Sequence, residues 1–232
     1  MQTTTSLYRQ ILAGENHWFE SRLIIDGVGT FGEEDLRSLS TNIEMFRDSP
    51  DIGKAVAGEI EVKMHLPDTT IPDMACLRPQ VRVCNATDQS EWLPQGVYYI
   101  DTRERTHNDD GLDVLTIHGY DAMLKAEQTY NGRITGDSVD IDMVNEIAYQ
   151  IGVDVDPRTT ALMTAAFTIP FPAGYTYREI LGYIASMYVG CFIMTDEGKL
   201  RLVSMLELPE ETNYLIDQIG DPITFGGDRI LV

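Results

Sequence analysis

Polar and apolar positions alternate over short runs in the first half of the chain, as they do in half-buried β-strands. The clearest run spans residues 59–66, where charged and apolar side chains take turns. Clusters of Gly, Pro, Asp and Asn separate the runs and favour turns. The pattern predicts strands over residues 18–26, 59–66, 78–84, 96–105 and 112–119.

The last two of these strands flank a short polar segment, residues 107–111, that ends in Asp110-Gly111. Glycine readily adopts the positive φ that a tight hairpin loop requires, so this segment predicts a β-hairpin. Residues 32–50 are left unassigned, because their apolar positions fit a helical stripe and a bulged strand equally well.

Helical periodicity begins after Tyr120. Asp121 opens a short helical stretch that runs through Lys125, and a second helix is predicted from Asp137 to the stop at Gly152. The acidic side chains in the first turns of this second helix complement the positive end of the helix dipole. They are therefore interpreted as caps and charge placement: Asp137, Asp140 and Asp142.

A third helix carries the strongest start signal in the chain. Thr176 and Glu179 form a T-x-x-E capping box ahead of an apolar stripe, and Gly190 closes the segment. Residues 191–195 and 200–204 then flank a short turn that contains Gly198, which predicts a second β-hairpin.

These elements predict a β-rich α+β protein. An antiparallel β-barrel or sandwich is expected over residues 1–120, and a mixed domain with two longer helices and a hairpin over residues 121–204. Residues 205–232 are expected to form a linker and the start of a further β segment. The sequence stops inside a strand-like run, which fits either an edge strand docked on the fold or a longer natural chain that continues beyond Val232. The second interpretation is favoured.

The net charge of the chain argues against two classes of binding partner. The 17 basic and 37 acidic side chains give a net charge of −20, which repels a phosphate backbone and an anionic membrane surface. No apolar run reaches the roughly 18 residues that a spanning helix needs. The first residues carry no signal-peptide pattern, so synthesis in the cytoplasm is expected.

The sequence contains none of the short catalytic or phosphate-binding motifs whose structural role is understood, such as a nucleophile elbow or a phosphate-binding loop. Acidic pairs at Asp101 with Glu104 and at Asp109 with Asp110 are interpreted as turn and surface residues in a chain this acidic. The three cysteines lack metal-ligand spacing and are predicted to be buried or half-buried hydrophobic residues: Cys76, Cys84 and Cys191. We therefore predict no catalytic, cofactor-binding or metal site and no cofactor.

Aromatic side chains form two clusters that could pack in a core or stack on a sugar or peptide. Packing is the favoured interpretation for both. The first cluster contains Trp92, Tyr98 and Tyr99, and the second contains Phe167, Phe171, Tyr175 and Tyr177.

Two blocks of the sequence carry a pattern beyond their strands and helices. The first begins with Gly96, Tyr98, Ile100 and Asp101 and resumes after the predicted hairpin loop with Leu115, Ile117, Gly119 and Asp121. The second spans residues 175–203 and includes the capping box and the second predicted hairpin. The first block resembles the baseplate hub proteins of long-tailed bacteriophages and prophages, and the second resembles the segment that follows the first barrel in Firmicute-type prophage tail proteins. The blocks occur in the order that the family has.

The resemblance implies a tail-tube-like barrel, a small mixed domain and a second barrel that this chain would only begin. It also implies a structural, non-enzymatic role in the virion tail. The implied partners are further copies in a trimeric ring, if the chain is full length, and neighbouring tail-tube and tail-tip proteins. DNA would pass through the lumen without specific binding.

An acidic lumen would keep DNA from sticking, because it repels phosphates. The residues expected to face the axis of such a ring surround the first predicted hairpin: Asp101, Glu104, Asp109, Asp110 and Asp113. A chain without its second barrel is expected to be monomeric or weakly associated.

Two other functions remain open at this stage. A module that binds carbohydrate or another host-surface ligand would use the aromatic clusters, and a tail-associated hydrolase would use carboxylates with His118. The first would show exposed rings in a groove, and the second would show converging carboxylates with shifted pKa values.

Overall fold

The computed structural model describes residues 4–44, 52–65, 70–107 and 113–205, and the backbone of residues 224–225 and 228–229. Its helices are α1 (Ser6–Leu12), α2 (Asp140–Ile151), α3 (Pro157–Leu162) and α4 (Tyr177–Met187), with a 3₁₀ helix at Ala122–Glu127. The strands up to that 3₁₀ helix are β1 (Trp18–Ile25), β2 (Gly29–Phe31), β3 (Leu36–Asn42), β4 (Lys54–Ala55), β5 (Glu59–His65), β6 (Cys76–Cys84), β7 (Leu93–Pro94), β8 (Tyr98–His107) and β9 (Asp113–Asp121). The later strands are β10 (Ser138–Val139), β11 (Thr168–Ile169), β12 (Gly190–Met194), β13 (Leu200–Ser204), β14 (Thr224–Phe225) and β15 (Asp228–Arg229).

One antiparallel sheet holds most of the first half, in the order β2-β1-β6-β8-β9-β5-β3, with β7 beside β6. Laid flat, six strand-to-strand steps would separate its end strands by about 29 Å. Yet β2 and β3 are joined by residues 32–35 alone, which span about 18 Å at most when fully extended. The sheet must therefore curl strongly on itself, as an open barrel does, and we call this curled sheet the barrel.

Alternation along each strand fills the barrel interior. Ile60, Val62 and Met64 of β5 face inward and are buried, whereas their neighbours Glu59 and Glu61 face outward. The remaining interior side chains come from β1, β6, β8 and β9 and the segment before β6: Leu23, Ile25, Ile71, Ala75, Leu77, Tyr98, Ile100, Leu115 and Ile117.

The second core lies where α2, α4 and the 3₁₀ helix cover the β12–β13 hairpin. The amphipathic stripe of α4 buries Ile180, Leu181 and Ile184 against it. β4, which lies between barrel strands in sequence, pairs in parallel with β12 and so joins this second sheet. The chain is thus a β-rich α+β protein, as its sequence predicts.

Most of the predicted elements are confirmed. Both hairpins form, with β8 paired to β9 and β12 paired to β13, although the loop of the first lies outside the described residues. The capping box at Thr176 is complete: its hydroxyl accepts the Glu179 amide at 3.1 Å, and the Glu179 carboxylate accepts the Thr176 amide at 2.8 Å. The unassigned segment contains β3, and residues 45–50 lie outside the described residues.

The start of α2 differs from the prediction. Ser138 and Val139 pair with β11, so the helix begins at Asp140 and has no side-chain cap. Asp137 therefore precedes the helix and does not cap it. Asp140 and Asp142 both lie in the first turn, as expected. Asp140 is in addition fully buried and accepts the Tyr188 hydroxyl at 2.5 Å. Sequence reasoning also missed the short helices α1 and α3.

Candidate interaction surfaces

The β8–β9 hairpin carries the acidic residues that the sequence singled out. Asp101 lies at a register shift between Ile100 and Thr102, and Glu104 pairs with Thr116 further along. Both side chains are exposed. His118 lies 3.8 Å from a carboxylate oxygen of Glu61, on the neighbouring strand. The geometry does not present Asp101, Glu104 and His118 as a converging catalytic set.

Asp113 is held at the base of the same hairpin. Its carboxylate accepts hydrogen bonds from His107 Nδ1 at 2.7 Å and from the Arg105 guanidinium. These two donors, His107 first, lower the pKa of the Asp113 carboxyl. Asp109 and Asp110 lie outside the described residues.

Both tryptophans of the chain lie on the outer face of β1 and β6, outside the two hydrophobic cores. The guanidinium carbons of Arg22 and Arg82 lie 4.2 and 4.4 Å from the centre of the Trp92 ring. Trp18 is 48% exposed and shares the β1 face with Arg22. We call this surface the tryptophan face: Trp18, Glu20, Arg22, Gln80, Arg82 and Trp92.

Trp92 thus departs from the predicted core packing, whereas Tyr98 agrees with it. Tyr98 is 2% exposed inside the barrel, and burial raises the pKa of its hydroxyl to about 12. Tyr99 faces the other way, half-buried beneath the Lys125 ammonium at 3.7 Å.

Asp121 joins the barrel to the helical unit. Its buried carboxylate accepts the Gly58 amide at 2.6 Å, next to β5, and the Met123 amide at 2.9 Å, where it caps the 3₁₀ helix. Desolvation outweighs these bonds and raises the pKa of Asp121 to about 6. Because the side chain is 2% exposed, this shift belongs to a structural junction and not to an open site.

An open cleft of about 440 Å³ borders this junction. Its walls come from β4, the 3₁₀ helix and α4, and a second depression of about 480 Å³ shares four of its lining residues. Arg178 spans both: its guanidinium donates to the Ala55 carbonyl at 2.8 Å and pairs with Glu127. Because Arg178 and Glu127 pair across its walls and little apolar surface lines it, we interpret the cleft as a gap between packed elements and not as a ligand site.

The second aromatic cluster is partly surface. Tyr177 is buried, as predicted, but Phe167, Phe171 and Tyr175 are each about two-fifths exposed, at 39%, 45% and 44%. Their rings meet neighbours edge-on, with centroid distances of 5.5 Å to Tyr188, 6.2 Å to Tyr130 and 5.4 Å to Tyr183. Such pairs stabilise one another and offer no flat platform for a sugar ring.

Two carboxyl groups of the helical unit have strongly lowered pKa values because each is hydrogen-bonded to a neighbouring arginine. Glu146 accepts hydrogen bonds from the Arg133 side chain and amide and from Gln150, and the Arg133 contact lowers the pKa of Glu146 to about 2. Arg158 does the same for Asp156. Both acids anchor loops.

The three cysteines are buried or half-buried, as predicted, and burial raises the pKa of Cys76 to about 11. Within the described ranges, no group of three or more His, Cys, Asp or Glu side chains is placed to hold a metal ion. The helices of the described residues are all too short or too polar to cross a bilayer.

Sequence reasoning overlooked Arg22 and Arg82, although the signal is present. Alternation along β1 places Trp18, Glu20 and Arg22 on the face opposite to buried Leu23 and Ile25. The pairing of β1 with β6, which only the structure gives, then sets Glu20 against Arg82 and Arg22 against Gln80.

Comparison with solved structures identifies the architecture. A tail protein from Neisseria meningitidis MC58 matches over 88% of this chain and 53% of its own, with 12% identity and a TM-score of 0.51. The chain shares the fold of a tail protein. At this identity the likeness concerns the fold alone.

Two further matches have lower scores. The 43 kDa tail protein of prophage MuSo2 from Shewanella oneidensis covers 79% of this chain and 52% of its own, with 12% identity and a TM-score of 0.46. A Francisella PdpA-VgrG complex covers 84% and 33%, with 7% identity and a TM-score of 0.47. The chain spans about half the length of the two tail proteins. No protein-family model and no curated protein sequence matches it.

Proposed function

We propose that this chain is a structural component of a phage or prophage tail tip, a baseplate hub that assembles into a ring continuing the tail tube. The observation that carries the proposal is the barrel followed by a helix-covered hairpin, an architecture shared with the Neisseria tail protein. The two sequence blocks that resemble hub proteins fall on β8–β9 and on α4 with the β12–β13 hairpin. Each block therefore corresponds to regular secondary structure and not to loops.

The proposed role is non-enzymatic and needs no cofactor. Ring building requires a rigid scaffold and broad outer surfaces, and the barrel supplies both. In this proposal residues 1–120 form the tube-like domain, residues 121–204 the mixed domain and residues 205–232 a linker into a further β segment. Partners are other copies of the chain, as a trimer when full length, and adjacent tail-tube and tail-tip proteins, with DNA passing through the lumen unbound.

Immunogold labelling tests the proposal directly. Antibodies raised against the purified chain should decorate tailed particles from the host that carries the gene, at the tail end remote from the head. Mass spectrometry of the purified particles should recover its peptides in low copy number relative to the tube protein. Absence from the particles, or labelling of the head, would refute the role.

A host-surface binding module is the second candidate, and the exposed rings of Phe167, Phe171 and Tyr175 are the observation in its favour. Their edge-on packing favours a protein contact over a sugar-stacking site. A glycan array on the purified chain, with Phe171→Ala as the comparison, separates the two functions: specific glycan binding lost in the variant would support the module.

A further inference from the structure

Two outer faces of the barrel each carry a charged side chain that has no ion-pair partner among the described residues: Arg22 on the first face and Glu59 on the second. One is the outer face of β1 and β6, where Arg22, Arg78 and Arg82 outnumber the carboxylates of Glu20 and Asp26. We call it the basic face, and the tryptophan face forms its larger part. A local excess of positive charge is unusual in a chain with a net charge of −20.

Arg22 is the exceptional member of the basic face. Arg82 forms an ion pair with Glu20 at 2.6 Å and Arg78 one with Asp26 at 3.1 Å. Arg22 instead donates from Nε to the Gln80 amide oxygen at 2.8 Å, and no carboxylate among the described residues pairs with it. Burial and the neighbouring Arg82 both lower the pKa of Arg22, so an incoming carboxylate would relieve an unfavourable environment.

The setting of Arg22 also favours binding. Its guanidinium is held against the Trp92 ring, so a partner would find it already oriented and would lose little side-chain entropy in pairing with it. Trp18, nearly half exposed, supplies an apolar surface beside it. Trp and Arg are the residues that most often dominate protein interfaces.

The second face is the outer side of β5 and its neighbours β3 and β9. It carries exposed Arg37 and Lys63 as well as Glu59 and Glu61, so negative charge is in excess only at one end of it, which we call the acidic face. A shallow depression of about 150 Å³ lies there, lined by Ser40, Asn42, Glu59, Glu61, His118 and Tyr120. Glu59 is exposed and has no ion-pair partner among the described residues, whereas Glu61 pairs with Lys63 at 2.8 Å.

In the sheet order, β8 and β9 separate β6 from β5, so the two faces lie on different sides of the barrel. A surface that is complementary to a different surface of the same molecule produces head-to-tail contacts, which close into a ring when the rotation allows. We propose that the basic face of one copy docks on the acidic face of a second copy, with Arg22 entering the depression beside Glu59.

This inference rests on the proposed function and deepens it by naming the two surfaces that meet in the ring. We propose a second copy as the partner because each copy carries both the unpaired arginine and the unpaired carboxylate. A nucleic acid would meet the same arginines with phosphates, but the overall charge of −20 repels it.

Sedimentation velocity on the purified chain tests the contact. Association is expected to be weak, as for a chain without its second barrel, so the weight-average mass of the wild type should rise with concentration only at high protein concentration. Arg22→Glu and Glu59→Lys should each weaken this association at least tenfold, and Arg22→Gln should weaken it less than Arg22→Glu. Both substituted positions face outward, and thermal melts should confirm that each of the three variants is folded.

Mixing the two charge-reversal variants gives the decisive measurement. The Arg22→Glu copy keeps its acidic face and the Glu59→Lys copy keeps its basic face, so an equimolar mixture should form one-to-one pairs where each variant alone does not. Lys199→Gln, which removes a positive charge from the turn between β12 and β13, is the matched control and should associate like the wild type.

A wild type that stays monomeric throughout, variants that associate normally, or a mixture that fails to pair would each overturn the inference. Because the proposed function is tested separately by the presence of the chain in tail particles, either result can fail alone. A gel-shift assay with duplex DNA completes the test: binding that Arg22→Glu abolishes would assign the basic face to nucleic acid and overturn docking of a second copy.

Discussion

The close approach of α4 to β4 gives the sharpest stability prediction. A Cβ on Gly182 would lie 2.7 Å from the Gly53 carbonyl oxygen and 3.9 Å from the Lys54 Cα, both backbone atoms that cannot rotate away. An ordinary carbon–oxygen contact is about 3.3 Å, so Gly182→Ala must push β4 from the helix by roughly 0.6 Å. β4 cannot move freely, because the amides of Gly53 and Val56 each donate to β12 at 2.8 Å.

The size of the effect follows from two opposing contributions. Alanine is favoured over glycine inside a helix by about 1 kcal/mol, which stabilises the variant. Overpacking of this kind costs about 1–3 kcal/mol, and here it acts on backbone and not on a flexible side chain. Because the clash is with fixed backbone, we take the upper part of the overpacking range, about 2–3 kcal/mol. After the helix gain of about 1 kcal/mol is subtracted, Gly182→Ala should lower the free energy of unfolding by about 1–2 kcal/mol.

Urea unfolding followed by far-UV circular dichroism measures the change, with hydrogen exchange of the Gly53 and Val56 amides as the local readout. Both amides should exchange faster in the variant. Gly136→Ala is the control, because a Cβ there meets nothing within 4 Å and the residue has no positive φ. A Gly182→Ala protein as stable as the wild type, or more stable, with unchanged exchange would refute the close approach.

The remaining predictions concern a cap, a buried acid and the assembled ring. Thr176→Ala should lower stability by about 1 kcal/mol in thermal melts, since it removes one half of the capping box, and an unchanged melting temperature would count against that cap. Asp121 has a folded-state pKa raised to about 6 from 3.8, so its contribution to stability is full below about pH 4 and declines as the pH rises through 6. Asp121→Asn should be less stable because its amide cannot accept both backbone N–H groups, and the wild-type advantage in urea unfolding should shrink between about pH 4 and 7; a constant difference would contradict the raised pKa. In a cryo-EM map of the ring, the hairpin carboxylates of exposed Asp101, exposed Glu104 and half-buried Asp113 should line the lumen. A neutral or basic lumen would exclude the acidic conduit.

Local signals in the sequence were sufficient for the elements that local chemistry controls. The capping box at Thr176 and the αL glycine at Gly152 fix helix ends through contacts with residues three or four positions away. Alternation in β5 fixes which side chains face the core before any partner strand is known, because the side-chain period of a strand is two. The acidic character needs no structure either, because it follows from the composition alone.

The secondary structure that the sequence did not predict depends on pairing with strands that are distant along the chain. Asp137 looks like a helix cap, but pairing of β10 with β11, about thirty residues away, holds the preceding residues in a strand. Residues 54 and 55 leave the barrel because β12, far along the chain, offers them a parallel partner. Such pairings depend on chain closure and on shapes formed elsewhere, and no local pattern encodes them.

The same distinction between local pattern and long-range pairing applies to the interaction surfaces. The sequence alone places Trp18, Glu20 and Arg22 on one face of a strand. Only the tertiary structure brings Arg22 and Arg82 onto the Trp92 ring, and only barrel closure sets that face apart from Glu59. A strand's own period determines which way a side chain points, whereas the charge it meets depends on long-range strand order, which is a property of the whole fold.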